Sequence, residues 1–178
     1  MVITISGRPG SGKSVVASRV AQELGLSHSS AGDFMREMAT ERGVSILELS
    51  RLAEAGDEID REIDARTMRL AEQGGDFVMD ARLGWHFIPD SIKVFLEVDP
   101  LVAAQRIFEA RRRSEVENVT LEQTQQAVHD RTESERKRYL DYYGVDYGEH
   151  DHYDLVLDTS NLPIDQVVER IVAYVRSL

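Results

Sequence analysis

The sequence predicts a three-layer α/β sandwich built on a five-stranded parallel sheet, and three observations carry that reading. Five short β-type runs (2–6, 26–29, 76–80, 92–98 and 154–158) alternate with longer helix-type stretches, and such alternation implies parallel strands with both faces covered. The chain has 178 residues, a length at which one domain buries about two-thirds of its unfolded surface. Apolar residues make up 42% of it, enough for a core, and there is no cysteine. The last fact excludes a disulfide scaffold, Cys-ligated zinc, iron–sulfur clusters and thiol catalysis.

Each element has its own signal. Met1-Val2-Ile3-Thr4-Ile5-Ser6 opens directly on an alternating strand pattern, with no basic leader and no long apolar run, so no signal peptide is expected. No stretch approaches the roughly 20 apolar residues of a membrane helix, and the expected setting is cytoplasmic, without a membrane partner. Ser14–Leu24 reads as a helix closed by Gly25, the residue type that ends helices in the left-handed conformation. Ser45-Ile46-Leu47-Glu48 is a capping box. Residues 59–72 carry apolar positions at Ile59, Ile63 and Leu70 and stop before Gly74-Gly75. Asp99-Pro100 supplies a cap and a first-turn proline. Thr120-Leu121-Glu122-Gln123 is a second capping box, opening a long polar helix that runs to about Tyr143. Pro163 begins the last helix. No linker, repeat or low-complexity tract divides the chain, and residues 1–178 read as a single domain.

Charge narrows the function classes. With 32 acidic and 21 basic residues the net charge is −11, which argues against a nucleic-acid-coating surface because that needs a basic face to displace counterions. It leaves room for a small anionic substrate held by a local basic cluster.

Gly7-Arg8-Pro9-Gly10-Ser11-Gly12-Lys13-Ser14 fits G-x-x-x-x-G-K-[ST] in full, between a predicted strand and a predicted helix. That context gives the motif its meaning. Glycines let successive backbone N–H groups turn toward phosphate oxygens, and the helix N-terminus adds partial positive charge. Lys13 is suited to the β- and γ-phosphates and the Ser14 hydroxyl to Mg²⁺. The motif predicts ATP or GTP binding.

Arginines form the second signal. On the long helix, Leu121, Val128, Glu135 and Tyr142 fall at seven-residue spacing, with Arg131 and Arg138 flanking Glu135. Two readings stand: a solvated face laced with salt bridges, or one wall of an anion-binding cleft in which guanidinium groups grip phosphates. Arg106 and Arg111-Arg112-Arg113 end a helix before the polar segment 114–119; they either complement the helix dipole or ride on a lid. Asp80-Ala81-Arg82 follows the third strand. In open α/β sheets that is where ligands bind, so Asp80 suits Mg²⁺-bound water and Arg82 a second substrate, unless the two form a loop ion pair. Ser29 to Arg36 caps a helix or brings Arg36 into the same cleft. His150-Asp151-His152 and the acidic stretch Glu54–Asp64 read as solvated.

In this order the motifs resemble nucleoside monophosphate kinases of the P-loop kinase superfamily, most closely the short-form cytidylate kinase family. The resemblance spans essentially the whole chain. It rests on the phosphate loop, Ser30-Ala31-Gly32-Asp33-Phe34-Met35-Arg36, Asp57-Glu58-Ile59-Asp60-Arg61-Glu62-Ile63-Asp64, Asp80-Ala81-Arg82, Ile88-Pro89-Asp90 into Lys93-Val94-Phe95-Leu96, Arg131-x-x-x-Glu135-x-x-Arg138, and Tyr153 to Ser160. It implies transfer of a phosphoryl group from ATP, with Mg²⁺, to CMP or dCMP; a monomer is expected. Gly7 to Ser14 with Val15 and Arg111 would bind ATP. Lys13, Arg113, Arg131 and Arg138 would be catalytic. Ser30, Arg36, Asp80, Arg82, Arg131, Glu135 and Arg138 would bind the acceptor. Ser14, and Asp80 through water, would hold the metal. Residues 32–73 would be the monophosphate-binding helices and 109–120 the lid. The sequence departs from the family at Ala81, where a glycine is usual, and at Ala31, where related kinases offer a hydroxyl. UMP, AMP or a non-nucleotide acceptor, a non-catalytic nucleotide switch and a nucleic-acid-end kinase are the competing readings.

Overall fold

Val2–Gly7 forms β1, and five of its six residues are buried, as expected of a central strand covered on both faces. In the computed structural model, residues 1–113 and 120–178 are described; the side chains at 46, 47, 50, 54 and 111–113 lie outside that description. The other strands are β2 (Ser27–Ser30), β3 (Phe77–Asp80), β4 (Ile92–Glu97) and β5 (Leu155–Asp158). All pairings are parallel, in the order β2-β3-β1-β4-β5. The chain leaves β1 to build on one side through β2 and β3, then crosses to β4 on the other. That reversal opens a crevice beyond the carboxyl ends of β1, β3 and β4.

Alternation along the strands sorts side chains between two faces. Ile3, Ile5, Val78, Val94 and Leu96 meet α1 (Lys13–Leu24) and α8 (Ile164–Arg176), which contribute Val16, Val20, Val168 and Ile171. On the opposite face, Phe77 and Met79 pack with Ala81 and Ile88, and Phe95 with Trp85 and Tyr147. That layer holds α4 (Glu58–Gln73), α5 (Gly84–Phe87) and α7 (Leu121–Tyr143). The helices α2 (Ala31–Arg42), α3 (Ile46–Ala55) and α4 share a smaller core of Met38, Leu49, Ala53 and Ile59. Between β4 and α7 runs α6 (Pro100–Arg113).

The three-layer sandwich with five parallel strands agrees with the sequence reading. Both capping boxes form, at Ser45/Glu48 and Thr120/Gln123. The differences have local causes. Strand β2 begins at Ser27 rather than 26 because the Leu26 amide donates to the Ala21 carbonyl at 2.8 Å, closing α1 behind the left-handed Gly25. Pro163 caps α8 instead of starting it. Neither α5 nor the 3-10 turn His150–His152 was expected; His152 stacks on Trp85 with centroids 4.3 Å apart. Of the proposed lid, residues 109–113 continue α6, while 114–119 and the Arg111 and Arg113 side chains lie outside the described residues. No helix among the described residues is long and apolar enough to cross a membrane.

Candidate active site

The phosphate loop crosses from β1 to α1 at the crevice. Two of its glycines are required by geometry. At Gly10 (φ +79°) a Cβ would sit 2.8 Å from Ala103 backbone, and Gly12 (φ +85°) caps α1 in the left-handed region. The Arg8 amide donates to the Leu96 carbonyl at 3.1 Å and the Ser11 amide to the Arg8 carbonyl at 3.2 Å. Ser11 is buried, and among the described residues its hydroxyl has no hydrogen-bond partner, which suits it to a phosphate oxygen. Lys13 ion-pairs with Asp80 at the end of β3. Burial pushes its pKa well below the usual lysine range, Arg82 and Arg131 act in the same sense, and Glu135 opposes them.

A brace behind the loop escaped the sequence reading, which assigned Arg106 to a lid or a helix end. Its guanidinium donates to the carbonyls of Thr159 at 2.6 Å, Ser160 at 3.3 Å and Gly10 at 3.4 Å. The Thr159 hydroxyl is 3.2 Å from the Ser11 carbonyl and 3.0 Å from that of Glu97. Arg106 therefore ties the phosphate loop to the turn after β5. Arg106→Ala should lower stability by about 1–3 kcal/mol and weaken ATP binding. Arg106→Lys should not restore either, since one ammonium cannot reproduce the fork. Thermal denaturation and a nucleotide titration would check both.

Opposite the loop, Arg82 donates through Nε to Glu135 Oε2 at 2.8 Å, and Arg131 through Nε to Glu135 Oε1 at 2.8 Å. The Arg82 backbone is held in turn, because Ser6 donates its hydroxyl to the Arg82 carbonyl at 2.8 Å. Burial favours a protonated Glu135, but Arg82 and Arg131 outweigh it and hold the carboxyl at about 2. Arg82 is nearly enclosed, with its guanidinium 5.8 Å from the Tyr147 ring centroid, while the Arg131 side chain is 63% exposed. One arginine is thus fixed in the wall, and the other pairs with the same carboxylate on a largely exposed side chain.

The remaining expected residues each have partners within the fold. Ser30 is opposite Asp80 in the sheet register and caps α2, accepting from the Asp33 amide at 2.9 Å. Arg36 pairs with Asp33 and is mostly exposed. Arg138 contacts Asp60 of α4 and the Ala53 carbonyl of α3. Arg8 pairs with Glu97 at 2.8 Å. Ala81 is buried against Phe77 and Met79, so its methyl group turns into the core. Tyr142 is a correction: it is 44% exposed, and Tyr139 and Tyr143 turn inward instead. A straight helix drifts about 20° per heptad, so three heptads from Leu121 carry Tyr142 out of line. The acidic stretch is a second correction, since Asp60 is largely buried and Asp64 accepts a hydrogen bond from the Tyr143 hydroxyl. Their i, i+4 spacing puts both on one face of α4, a signal that was present in the sequence.

Residues 2–161 match the model of the cytidylate kinase-like family. The chain belongs to that family. Among curated relatives, the cytidylate kinase of Sulfurisphaera tokodaii is 37% identical over 176 residues, covering 98% of this chain and 94% of that protein. The cytidylate kinase of Methanothrix thermoacetophila is 38% identical over 178 residues, covering 100% and 99%. Solved structures share the fold at lower identity. An uncharacterized protein from Eubacterium ventriosum superposes with a TM-score of 0.77 at 18% identity, covering 100% of this chain and 99% of that one. A shikimate kinase from Bacteroides thetaiotaomicron gives 0.69 at 15% identity, covering 99% and 98%. In this chain the Arg82–Glu135–Arg131 cluster is near enough to the phosphate loop for all three charges to act on Lys13.

Proposed function

We propose that this protein transfers the γ-phosphoryl group of ATP to a nucleoside monophosphate, with CMP or dCMP as the acceptor. The observation that carries this reading is the Lys13–Asp80 contact. It joins the phosphate loop to the strand end that also bears Arg82, so a donor cradle and an acceptor anchor meet at the end of β3. The loop from Gly7 to Ser14, with Val15 in the first turn of α1, binds the ATP phosphates. Lys13, Arg131 and the lid arginine Arg113 neutralise charge on the phosphoryl group in flight, and Arg111 assists at the donor. Arg82, Arg131 and Arg36 hold the acceptor phosphate, with Ser30 and Glu135 at its edge. Arg138 stands beside them, next to Asp60.

Magnesium fits this donor set. The Ser14 hydroxyl and the Asp80 carboxylate are hard oxygen ligands, and Mg²⁺ keeps several waters and substrate phosphate oxygens in its shell. Ser14 would hold it, with Asp80 acting through water, and it would supply positive charge that neutralises the phosphates. Lys13 has to leave Asp80 for the nucleotide, which frees that carboxylate. A phosphate monoester oxygen is already an anionic nucleophile, so no general base is required; catalysis rests on alignment and charge. Closure of residues 32–73 would keep water from the donor.

The test is ADP release by the purified protein with ATP and Mg²⁺ across CMP, dCMP, UMP, AMP and shikimate. Acceptor-stimulated release that is strongest with CMP or dCMP is expected. Slow hydrolysis indifferent to every acceptor would instead favour a nucleotide-dependent switch.

A further inference from the structure

The turn that follows α7 is tied to its surroundings on both sides of Tyr147. Asp146 accepts from Arg136 Nε of α7 at 2.5 Å and from the Gly148 amide at 2.9 Å. Arg8 of the phosphate loop packs so closely over Gly148 that a Cβ there would meet its Nη2 at 3.2 Å. The Tyr147 carbonyl itself accepts from the Tyr153 hydroxyl at 2.6 Å. With its neighbours and its own carbonyl held, Tyr147 has a fixed backbone, and the residue is 0% exposed.

Its side chain ends against the Arg82–Glu135 pair. The hydroxyl donates to Glu135 Oε2 at 3.5 Å, the oxygen that also accepts Arg82 Nε at 2.8 Å. The Arg82 guanidinium lies 5.8 Å from the ring centroid, within the range at which a cation is drawn to an aromatic face. Tyr139 meets the same ring nearly at right angles, with centroids 5.7 Å apart, which keeps it from turning aside. Burial pushes the phenol up to about 12, so it stays a proton donor to the carboxylate. At 3.5 Å the bond is long, as hydrogen bonds around active sites often are before substrate draws them tight. The hydrogen bond to Glu135 fixes one edge of the guanidinium and leaves it free to tilt about that edge. A ring against its face removes the tilt.

Resting on the reading that Arg82 anchors the acceptor phosphate, we propose that Tyr147 is a positioning residue for acceptor phosphorylation. Fully enclosed, it touches no substrate itself. Its ring sets the tilt of Arg82, and its hydroxyl holds the Glu135 carboxylate that also aims Arg131. Phosphoryl transfer is sensitive to such aim, since a misplacement of about 1 Å can cost about 10²-fold. The hydrogen bonds that shape the phosphate loop are made by other groups, so the donor site should not register a change at Tyr147.

The experiment compares Tyr147→Phe and Tyr147→Leu with the wild type, reading two quantities per folded protein. One is kcat/KM for CMP at saturating ATP; the other is the Kd for ATP titrated without acceptor. Tyr147→Phe keeps the ring and loses the hydroxyl, so kcat/KM for CMP should fall about three- to tenfold while the ATP Kd stays within about twofold. Tyr147→Leu also removes the aromatic face, and the loss should grow to about ten- to a hundredfold. A purely structural role would lower Tm and leave both quantities unchanged in the protein that remains folded, and that result overturns the proposal. A matching loss of ATP affinity overturns it too, because the effect would then not run through the acceptor anchor. If Tyr147→Leu does not fold, Tyr147→Phe decides alone: an unchanged kcat/KM for CMP ends the proposal. A wild-type protein that phosphorylates no nucleoside monophosphate would instead defeat the functional reading on which the inference rests.

Discussion

Lys13→Ala is expected to slow phosphoryl transfer by about a thousandfold, measured as ADP release at saturating ATP and CMP. The ammonium is the group in the phosphate loop that can follow negative charge onto the transferring oxygens, and loss of one such preorganised donor typically costs about 10²–10³ in rate. Here the loss should reach the upper end, and a stability cost accompanies it because Lys13 neutralises Asp80 in the nucleotide-free protein. Asp80 is 2% exposed, and removing its partner leaves a buried carboxylate without a counter-charge, which destabilises by roughly 3–5 kcal/mol. Two effects are thereby mixed in the single variant. Adding Asp80→Asn separates them: the double variant should regain most of the lost thermal stability and none of the transfer. Recovery of activity along with stability would mean that Lys13 acts only through the fold.

Glu135→Gln should cost roughly 3–5 kcal/mol, because it leaves Arg82 enclosed without its carboxylate. For a domain of this size that corresponds to a fall in Tm on the order of 10 °C. Acceptor use should suffer as well, since Arg82 and Arg131 are both aimed by the Glu135 oxygens. The pH dependence has a defined sign. The Glu135 carboxyl sits at about 2 in the folded protein against an ordinary 4.5, so the folded state favours the ionised form. Its contribution, roughly 3 kcal/mol, is fully present above about pH 4.5 and is lost as pH falls toward about 2. The stability gap between wild type and Glu135→Gln should therefore be widest near neutrality and narrow below about pH 4.5. Denaturant titrations across that range would check it; a gap independent of pH would mean that the arginines do not hold Glu135 ionised.

The turn into α7 was readable because a capping box closes within four residues, and Gly25 marked the end of α1 because a left-handed residue is a local requirement. The phosphate loop was readable for the same reason: its glycines and Lys13 fall within one short stretch of chain, and strand and helix flank it directly. Arg106 shows where this stops. Near the end of a helix it looks like dipole chemistry, and only the approach of the turn after β5 makes it a brace. Asp60 and Asp64 looked like part of a solvated acidic run until α7 supplied Arg138 and Tyr143. Tyr142 failed because a seven-residue rule outlasted the helix geometry behind it.

By itself, then, the sequence determined the strand and helix order, the helix ends, the phosphate loop and the family resemblance, all of which rest on contacts within a few residues or on fixed motifs. Tertiary structure decided which charged and polar groups meet. Lys13 and Asp80 are 67 residues apart, Arg82 and Glu135 53, and Arg106 and Thr159 53. Those distances are closed by the strand order β2-β3-β1-β4-β5 and by the rotation of α7 about its axis. An ion pair at such separation has no local signature, because its free energy depends on the dielectric and the partners that the folded chain brings around it.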